Sequence, residues 1–145
     1  NGKYIWFKMI SHTFKTKIYY KDIDQMGIVY YSRYFEFFES ARTELLKSIG
    51  IAVRDIEKND IFLPVVSATC DYQKSAKFED ELIIIASISK SPSSRLFIEY
   101  KVLADDKSVL ATGKTIHAFI DKSGKPKRPP RLLISKINSL INNES

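Results

Sequence analysis

The chain opens with hydrophobic and polar positions that alternate. Over residues 12–20, aromatic and β-branched side chains fall on one side of an extended chain and lysines on the other, with Tyr20 last on the inner side. A period of two residues is typical of a strand with one buried face. The pattern predicts a strand over 12–20, followed by a loop over 22–31 that contains Gly27.

From Ser32 onward the apolar positions recur every three or four residues, which is the period of a helix with one buried face. Ser32 is of the type that caps a helix start, and Gly50 lies where a left-handed residue closes a helix end. The sequence therefore predicts a long and unusually aromatic helix over 32–49. Its predicted buried face consists of Tyr34, Phe37, Phe38, Ala41, Leu45 and Ile49.

The second half of the chain is rich in the Val, Ile, Phe, Tyr and Thr residues that strands favour. Short turn-like segments separate these stretches, so we expect neighbouring strands to pair antiparallel. A connection with a helical turn over 51–61 comes before the strands, and a short helix over 132–141 follows an irregular, proline-rich stretch. The predicted strands are 63–72, 81–89, 95–103 and 109–120.

Together these elements predict a single domain of the α+β class over residues 1–145. An aromatic helix needs a large apolar partner, and a curved antiparallel sheet of about five strands wrapped around it supplies one. Residues 1–8 precede Met9, which we interpret as the native start, and are interpreted as an extension or an expression remnant. Residues 122–145 form a basic segment and the short terminal helix.

Composition excludes several classes of protein. With 44% hydrophobic and 12% aromatic residues, the chain has material for a core, yet no apolar run approaches the roughly 18 residues of a membrane helix. We therefore expect a cytoplasmic protein without membrane insertion. The single cysteine, Cys70, lies in an alternating apolar run, so we expect a small buried hydrophobe rather than a nucleophile. No Cys or His spacing predicts a metal site.

The net charge of +6 is concentrated in one segment. Residues 122–131 hold five basic residues and no acid, which leaves the rest of the chain nearly neutral. Such a segment could attract nucleic acid, acidic lipid or a phosphorylated ligand. No recognition helix or stacking motif accompanies the charge, so nucleic-acid binding is not favoured. The five residues are Lys122, Lys125, Lys127, Arg128 and Arg131.

Candidate chemistry is concentrated in residues 20–34, where Asp22 and Asp24 precede a glycine turn and a helix start. Backbone N–H groups at a helix start are unpaired and can hold a developing oxyanion. A nearby carboxylate could then attack a carbonyl or deprotonate a water. The spacing by itself is also compatible with two aspartates that only cap a turn. The apolar walls of such a pocket would be Ile28, Val29 and Tyr30.

This run resembles the active-site motif of the 4-hydroxybenzoyl-CoA thioesterase-like hotdog proteins, Asp-x-Asp-x-x-Gly-x-Val-aromatic-x-x-x-Tyr. The matching residues are Asp22, Asp24, Gly27, Val29, Tyr30 and Tyr34. Similarity continues along the helix and resumes in later blocks, among them Asp71-Tyr72 and Ser75-Ala76, so that it covers about residues 12–135. The resemblance implies a hotdog fold and hydrolysis of an acyl-CoA thioester, without a metal or a redox cofactor.

The resemblance also implies roles for individual residues. Asp24 is the family's catalytic carboxylate, acting either as a nucleophile through a mixed anhydride or as a general base. Tyr31 lies at the helix start, where its backbone N–H polarises the thioester carbonyl. Many relatives of the Tol-Pal-associated acyl-CoA branch carry histidine at that position, whereas the hydroxybenzoyl-CoA enzymes carry tyrosine. The implied substrate contacts are Gly27, Ile28, Val29, Tyr30 and Tyr34.

Basic residues are the candidates for holding coenzyme A. The family places them on the hairpin after the third strand, here Lys90 and Arg95, and the segment with Lys125, Lys127 and Arg128 could steer the CoA phosphates. The resemblance further implies dimers or tetramers, with sheets joined edge to edge and the pocket at the subunit interface.

Several alternatives remain open from the sequence. The protein could act on acyl carrier protein thioesters, or it could be a non-catalytic acyl- or CoA-binding hotdog module. A hotdog dehydratase would need a histidine and an acid near the helix; Glu39 is interpreted as an exposed partner of Arg42 or Thr43, and His117 as a packed or dimer-facing residue. The acyl group is open, although the many aromatic residues favour an aryl group.

Overall fold

The computed structural model describes residues 9–141 and confirms the α+β architecture. The strands are β1 (Ile10–Lys17), β2 (Val65–Tyr72), β3 (Glu81–Ile88), β4 (Arg95–Leu103) and β5 (Val109–Ala118). The helices are α1 (Arg33–Ser48), α2 (Val53–Lys58) and α3 (Arg131–Ile141). All strand pairs are antiparallel, in the order β1-β3-β4-β5-β2. The expectations for residues 1–8 and 142–145 lie outside the described residues.

Helix α1 packs its aromatic face onto the inner face of the sheet. Phe38 stacks on Tyr100 of β4, with ring centroids 4.2 Å apart, and both rings are buried. The predicted helix face is confirmed except at Ile49, which is only partly buried because the helix ends there and the chain turns away. The buried residues of α1 are Tyr34, Phe37, Phe38, Ala41, Leu45 and Leu46.

The C-terminal end of α1 agrees with the prediction from the sequence, and the N-terminal end does not. Gly50 is left-handed, with φ +85°, as predicted, and the Ile51 amide donates to the Leu46 carbonyl at 2.9 Å. The prediction that Ser32 caps the start is wrong, since its side chain makes no capping hydrogen bond. Its backbone is already helical, at φ −70° and ψ −20°, whereas a capping residue is extended.

Strand β1 alternates as predicted, but Tyr20 does not lie on its inner face. A single 3-10 turn over Tyr20–Asp22 follows the strand, and it leaves Tyr20 74% exposed and stacked on Phe78. The inner face ends instead at Ile18, which is fully buried. The tight turn brings Asp22, rather than the tyrosine, into the interior.

Gly113 allows the helix to approach the sheet closely. A Cβ atom at this position of β5 would overlap the ring of Phe38 and lie 2.9 Å from the Thr69 carbonyl oxygen. Glycine weakens a strand, but here it makes room for a ring at the centre of the core.

Strand β2 is an edge strand with little cover on either face. Val65 and Val66 are 43% and 45% exposed, which is unusual for valines in a sheet. Cys70 is only half-buried, so the expectation of a buried residue is wrong, because within residues 9–141 β2 pairs with β5 alone and forms the edge of the sheet. Partial burial nevertheless raises the pKa of the Cys70 thiol, which disfavours the reactive thiolate.

The strand register defines two ends of the sheet. Lys17 pairs with Glu81 and Tyr72 pairs with Ala111 at one end, which we call the aspartate end because Asp24 follows β1 there. Arg95 pairs with Ala118 at the opposite end. Eight residues of strand separate the two ends by roughly 25 Å. Among the helices over residues 9–141, none is long and apolar enough to cross a membrane.

Candidate active site

Asp24 occupies the tip of a short loop that its own side chain holds in shape. Its Oδ1 accepts hydrogen bonds from the amides of Met26, at 2.8 Å, and Ile28, at 3.4 Å. The backbone closes the same turn, since Gly27 donates to the Asp24 carbonyl at 3.0 Å and has φ +79°. Within residues 9–141, Oδ2 of Asp24 receives no hydrogen bond. One carboxylate oxygen therefore fixes the loop and the other is left for chemistry.

Asp22 has a different environment, although only one residue separates the two carboxylates. It is buried, its Oδ2 accepts the Tyr19 amide at 2.9 Å, and its Oδ1 lies 3.8 Å from the Arg33 guanidinium. Its backbone carbonyl accepts the Tyr30 amide at 2.9 Å. Asp22 thus fastens the loop to the first residue of α1, which is a structural role.

Replacing Asp22 by asparagine is expected to reduce stability more than turnover. The amide oxygen can still accept the Tyr19 N–H, but the new NH₂ group would face the Arg33 guanidinium, donor against donor. Loss of this charge-assisted contact should cost about 1–3 kcal/mol of unfolding free energy. Thermal melting and thiol release should be measured on the same preparation. A variant that melts like the wild type but has lost its turnover would contradict this role.

The second wall of the site is the loop between β2 and β3. The Val29 amide donates to the Ala76 carbonyl at 2.8 Å, and Ile28 forms an antiparallel bridge with Lys77. These bonds hold the two loops side by side and enclose a cleft of about 260 Å³. The cleft is lined by Asp24, Ile28, Val29, Tyr31, Tyr34, Tyr72, Gln73, Lys74 and Ser75.

Unpaired backbone donors lie at the start of α1, beside this cleft. Among the described residues, the amides of Tyr31 and Ser32 donate to no protein acceptor, whereas the next amide, that of Arg33, donates to the Tyr30 carbonyl at 2.9 Å. Free N–H groups at a helix start form an anion-binding position. Asp24 and Tyr31 line the same cleft, so a carboxylate and a residue with an unpaired amide border one space.

The structure brings together only part of the predicted site. Ile28, Val29, Tyr31 and Tyr34 line the cleft with Asp24, and Gly27 shapes the turn beneath it. Tyr30 does not line the cleft; it stacks on Tyr31, with centroids 5.1 Å apart, and is 48% exposed.

Sequence reasoning did not assign the residues contributed by the β2–β3 loop. The signal that could have identified them is the family similarity at Asp71-Tyr72 and Ser75-Ala76, which falls on this loop and the end of β2. The missed lining residues are Tyr72, Gln73, Lys74 and Ser75.

The predicted CoA-binding residues lie at the opposite end of the sheet from Asp24 in the same chain. Lys90 is on the β3–β4 hairpin, with its ammonium 4.0 Å from the Phe97 ring centroid, and Arg95 begins β4. The basic segment follows β5 and is folded by Asp121, whose Oδ1 accepts the Ser123 and Lys125 amides at 2.9 Å. Lys125, Lys127 and Arg128 are all exposed there.

A second cavity, of about 180 Å³, lies between α1 and the sheet and is lined by Glu39, Arg42 and His117 among others. His117 is buried, and both ring nitrogens are engaged: Nδ1 with the Leu63 carbonyl at 3.1 Å and Nε2 with the Thr115 hydroxyl at 2.9 Å. Burial lowers its pKa, so the ring is neutral. This packed arrangement leaves no ring nitrogen for the acid–base work of a dehydratase.

Glu39 is exposed, and the structure differs in detail from the expected partnership. The Thr43 hydroxyl donates to the backbone carbonyl of Glu39, at 2.9 Å, rather than to its carboxylate. No group of three or more His, Cys, Asp or Glu side chains within residues 9–141 is arranged to hold a metal ion.

A five-stranded antiparallel sheet curved around one long helix, with a carboxylate loop at the helix start, defines a hotdog-fold protein. The chain matches the model of the Thioesterase-like superfamily over residues 19–137 and belongs to that family. It is therefore an enzyme of the thioester-hydrolase class.

Individual relatives agree with this assignment. The chain is 30% identical over 92 residues to the acyl-CoA thioesterase YbgC of Haemophilus influenzae, covering 63% of this chain and 68% of the relative. A DHNA-CoA thioesterase from Staphylococcus aureus superimposes with a TM-score of 0.83 at 25% identity, covering 91% of this chain and 93% of the other. A 4-hydroxybenzoyl-CoA thioesterase, 19% identical, shares the fold with a TM-score of 0.80, over 88% of this chain and 99% of the other.

Proposed function

We propose that the protein hydrolyses acyl-CoA thioesters and that Asp24 is the reacting carboxylate. The observation that carries the proposal is that Asp24 and Tyr31 line one cleft and that, among residues 9–141, Oδ2 of Asp24 and the amide of Tyr31 have no hydrogen-bond partner. A thioester in this cleft would have its carbonyl oxygen at the amide and its carbonyl carbon near the carboxylate. Such donors stabilise the charge that develops on the oxygen in the transition state.

Two reaction courses fit this arrangement. In the first, Oδ2 attacks the acyl carbon, the C–S bond breaks, the thiolate of CoA takes up a proton, and water hydrolyses the resulting mixed anhydride. In the second, Oδ2 removes a proton from a water that attacks the same carbon. Label on Asp24 after a single turnover in ¹⁸O-labelled water would establish the first course, because only hydrolysis of an anhydride at its aspartyl carbonyl leaves label there.

We further propose that the acyl group is aromatic. Tyr31, Tyr34 and Tyr72 line the cleft, and Tyr34 meets Tyr72 edge to face at a centroid distance of 5.0 Å. Such rings favour contact with another flat ring. The Staphylococcus aureus relative, named for DHNA-CoA, also supports an aryl thioester.

Thiol release over a panel of aryl- and alkyl-CoA substrates tests both parts of the proposal. A higher kcat/KM for aryl-CoA supports the aromatic acyl group, and a preference for alkyl chains would contradict it. Absence of thiol release from every acyl-CoA would contradict hydrolysis of CoA thioesters. Acyl carrier protein thioesters in the same panel would test whether the enzyme acts on that carrier instead of CoA.

The assembly we propose is a dimer in which β2 of one subunit pairs with β2 of the other. An isologous antiparallel pair aligns the Tyr72 end of one strand with the Val65 end of its partner. Asp24 of one subunit would then share an end of the continuous sheet with the partner's Lys125. This proposal accounts for the separation of Asp24 from the basic residues within one chain, because each complete site would draw on both subunits.

Neutralising the basic segment is expected to raise KM, by about 3- to 10-fold at low ionic strength, with little change in kcat. The segment would act through long-range attraction of the CoA phosphates, which salt screens within roughly 10 Å. The KM of the variant should therefore depend less on salt than that of the wild type. The substitutions are Lys125→Gln, Lys127→Gln, Arg128→Gln and Arg131→Gln.

A charge-matched control removes four cations elsewhere on the chain. If KM rises equally in both variants, net charge rather than this segment attracts the substrate. An unchanged KM at low salt in the first variant would make the segment a simple solvated surface. The control substitutions are Lys15→Gln, Lys47→Gln, Lys58→Gln and Lys101→Gln.

A further inference from the structure

The hydroxyl of Tyr72 joins the end of β2 to the start of α1. It donates to the backbone carbonyl of Tyr31 at 2.7 Å, across a sequence separation of 41 residues. The Tyr72 ring is held by its edge-to-face contact with Tyr34, at an interplanar angle of 84°. Desolvation raises the pKa of Tyr72, so the phenol keeps its proton and remains a donor.

This hydrogen bond completes a clamp around the α-carbon of Tyr31. The peptide plane before it is held through the Tyr30 carbonyl, which accepts the Arg33 amide at 2.9 Å. The plane after it is held through the Tyr31 carbonyl, by Tyr72. Because a peptide is planar, a fixed carbonyl also fixes the direction of the N–H in the same plane. The unpaired amides of Tyr31 and Ser32 belong to these two planes.

Without Tyr72, the second plane would be held only weakly. The other donor to the Tyr31 carbonyl is the Tyr34 amide, at 3.3 Å, which is a long bond. A phenol that donates to a carbonyl also polarises the peptide, which strengthens its N–H as a donor. The hydroxyl therefore affects both the direction and the strength of the Ser32 amide.

We propose that Tyr72 is a positioning residue for thioester hydrolysis: it clamps the peptide between Tyr31 and Ser32 so that the Ser32 amide is directed at the developing oxyanion, beside the Tyr31 amide, whose plane the Tyr30 carbonyl holds. This inference rests on the proposed function. The hydroxyl touches no reacting atom and acts entirely through the backbone. Ser32 is thereby assigned, through its amide, as a second oxyanion donor beside Tyr31.

The test replaces Tyr72 by phenylalanine, which keeps the ring and removes only the hydroxyl. We expect kcat to fall by about 10-fold, less than the 10²–10³ that follows loss of a donor itself, while KM stays the same. Inhibition by a trifluoromethyl ketone analogue of an acyl-CoA, which presents a tetrahedral oxyanion, should weaken by the same factor. Binding of an S-alkyl-CoA thioether, which has no carbonyl, should not change.

The matched control is Tyr20→Phe, which removes an exposed phenol from the same end of the sheet and should leave all three measurements unchanged. Equal weakening of the ketone and the thioether in Tyr72→Phe would indicate a merely structural role and overturn the inference. An unchanged kcat would overturn it as well. Failure of the proposed function would be seen differently, as absence of thiol release by the wild type itself.

Discussion

Asp24→Asn is expected to lower kcat by about 10² to 10⁴, the range for a lost acid–base or covalent catalyst, while acyl-CoA binding survives. The structure indicates that this substitution removes the reacting oxygen without changing the shape of the loop. The asparagine oxygen can replace Oδ1 and accept the Met26 and Ile28 amides, so the loop keeps its shape. The NH₂ group then replaces Oδ2, the oxygen free for chemistry, and it is neither a good nucleophile nor a base.

Asp22→Asn is the matched control, since it makes the same chemical change two residues away. The two variants should show opposite patterns: Asp24→Asn melts near the wild-type temperature and loses turnover, and Asp22→Asn does the reverse. Binding can be followed with an S-alkyl-CoA thioether, which neither variant can hydrolyse. Near-normal turnover in a folded Asp24→Asn protein would refute the assignment, and Glu39 would be the next carboxylate to test.

A protein confined to the monomer is expected to lose activity by about 10²-fold or more, because a site shared between subunits loses its positioning when they separate. The edge strand β2 offers the means of testing this. Ala68 and Thr69 lie at its centre, where an isologous antiparallel pair places each strand opposite its own copy. The double substitution Ala68→Glu with Thr69→Glu would place like charges directly opposite each other, which destabilises strand pairing.

The matched control carries the same two charges on the other edge of the sheet, as Ser11→Glu with Thr13→Glu on β1. Light scattering at micromolar concentration should show a dimer or tetramer for the wild type and the β1 variant, and a monomer for the β2 variant. The wild type and the β1 variant should release thiol from acyl-CoA, and the β2 variant should lose this activity. An active monomer would contradict both the shared site and the pairing of β2.

The ranking of the two aspartates illustrates what local sequence leaves open. Asp22 and Asp24 share residue type, spacing parity and loop, so spacing alone could not rank them. Asp24 was favoured because it lies closer to Gly27 and the helix start, and the family motif also selected it. The structure separates them by environment: Asp22 is buried against Arg33, whereas Asp24 lines a cleft and its Oδ2 accepts no hydrogen bond from any described residue. The burial of each aspartate and the position of its hydrogen-bond partners depend on how the loop packs on α1. The spacing of residues along the chain does not predict that packing.

Local errors in the sequence analysis have a similar origin. Ser32 has the chemistry of a capping residue, but the turn that begins at Tyr30 makes its backbone helical before a cap can form. Tyr20 fits the alternation of β1, but a 3-10 turn ends the strand before it. Cys70 fits a buried strand position, but β2 has no neighbour on one side. For Ser32 and Tyr20 an adjoining turn overrode the preference of the residue, and for Cys70 the position of β2 in the sheet did so.

The order of the helices and strands, most of the face that α1 buries and the left-handed end at Gly50 could be read from the sequence, because they follow from periodicity and from side-chain and backbone sterics within a few residues. The sequence also located the loop that carries Asp24. The packing of distant segments was needed to show that the β2–β3 loop forms the other wall of the cleft and that Tyr72 holds the Tyr31 carbonyl. The same is true of the position of Lys90, Arg95 and residues 125–128 at the far end of the sheet. Strand order and register set these distances, and both depend on pairings between segments far apart in the chain.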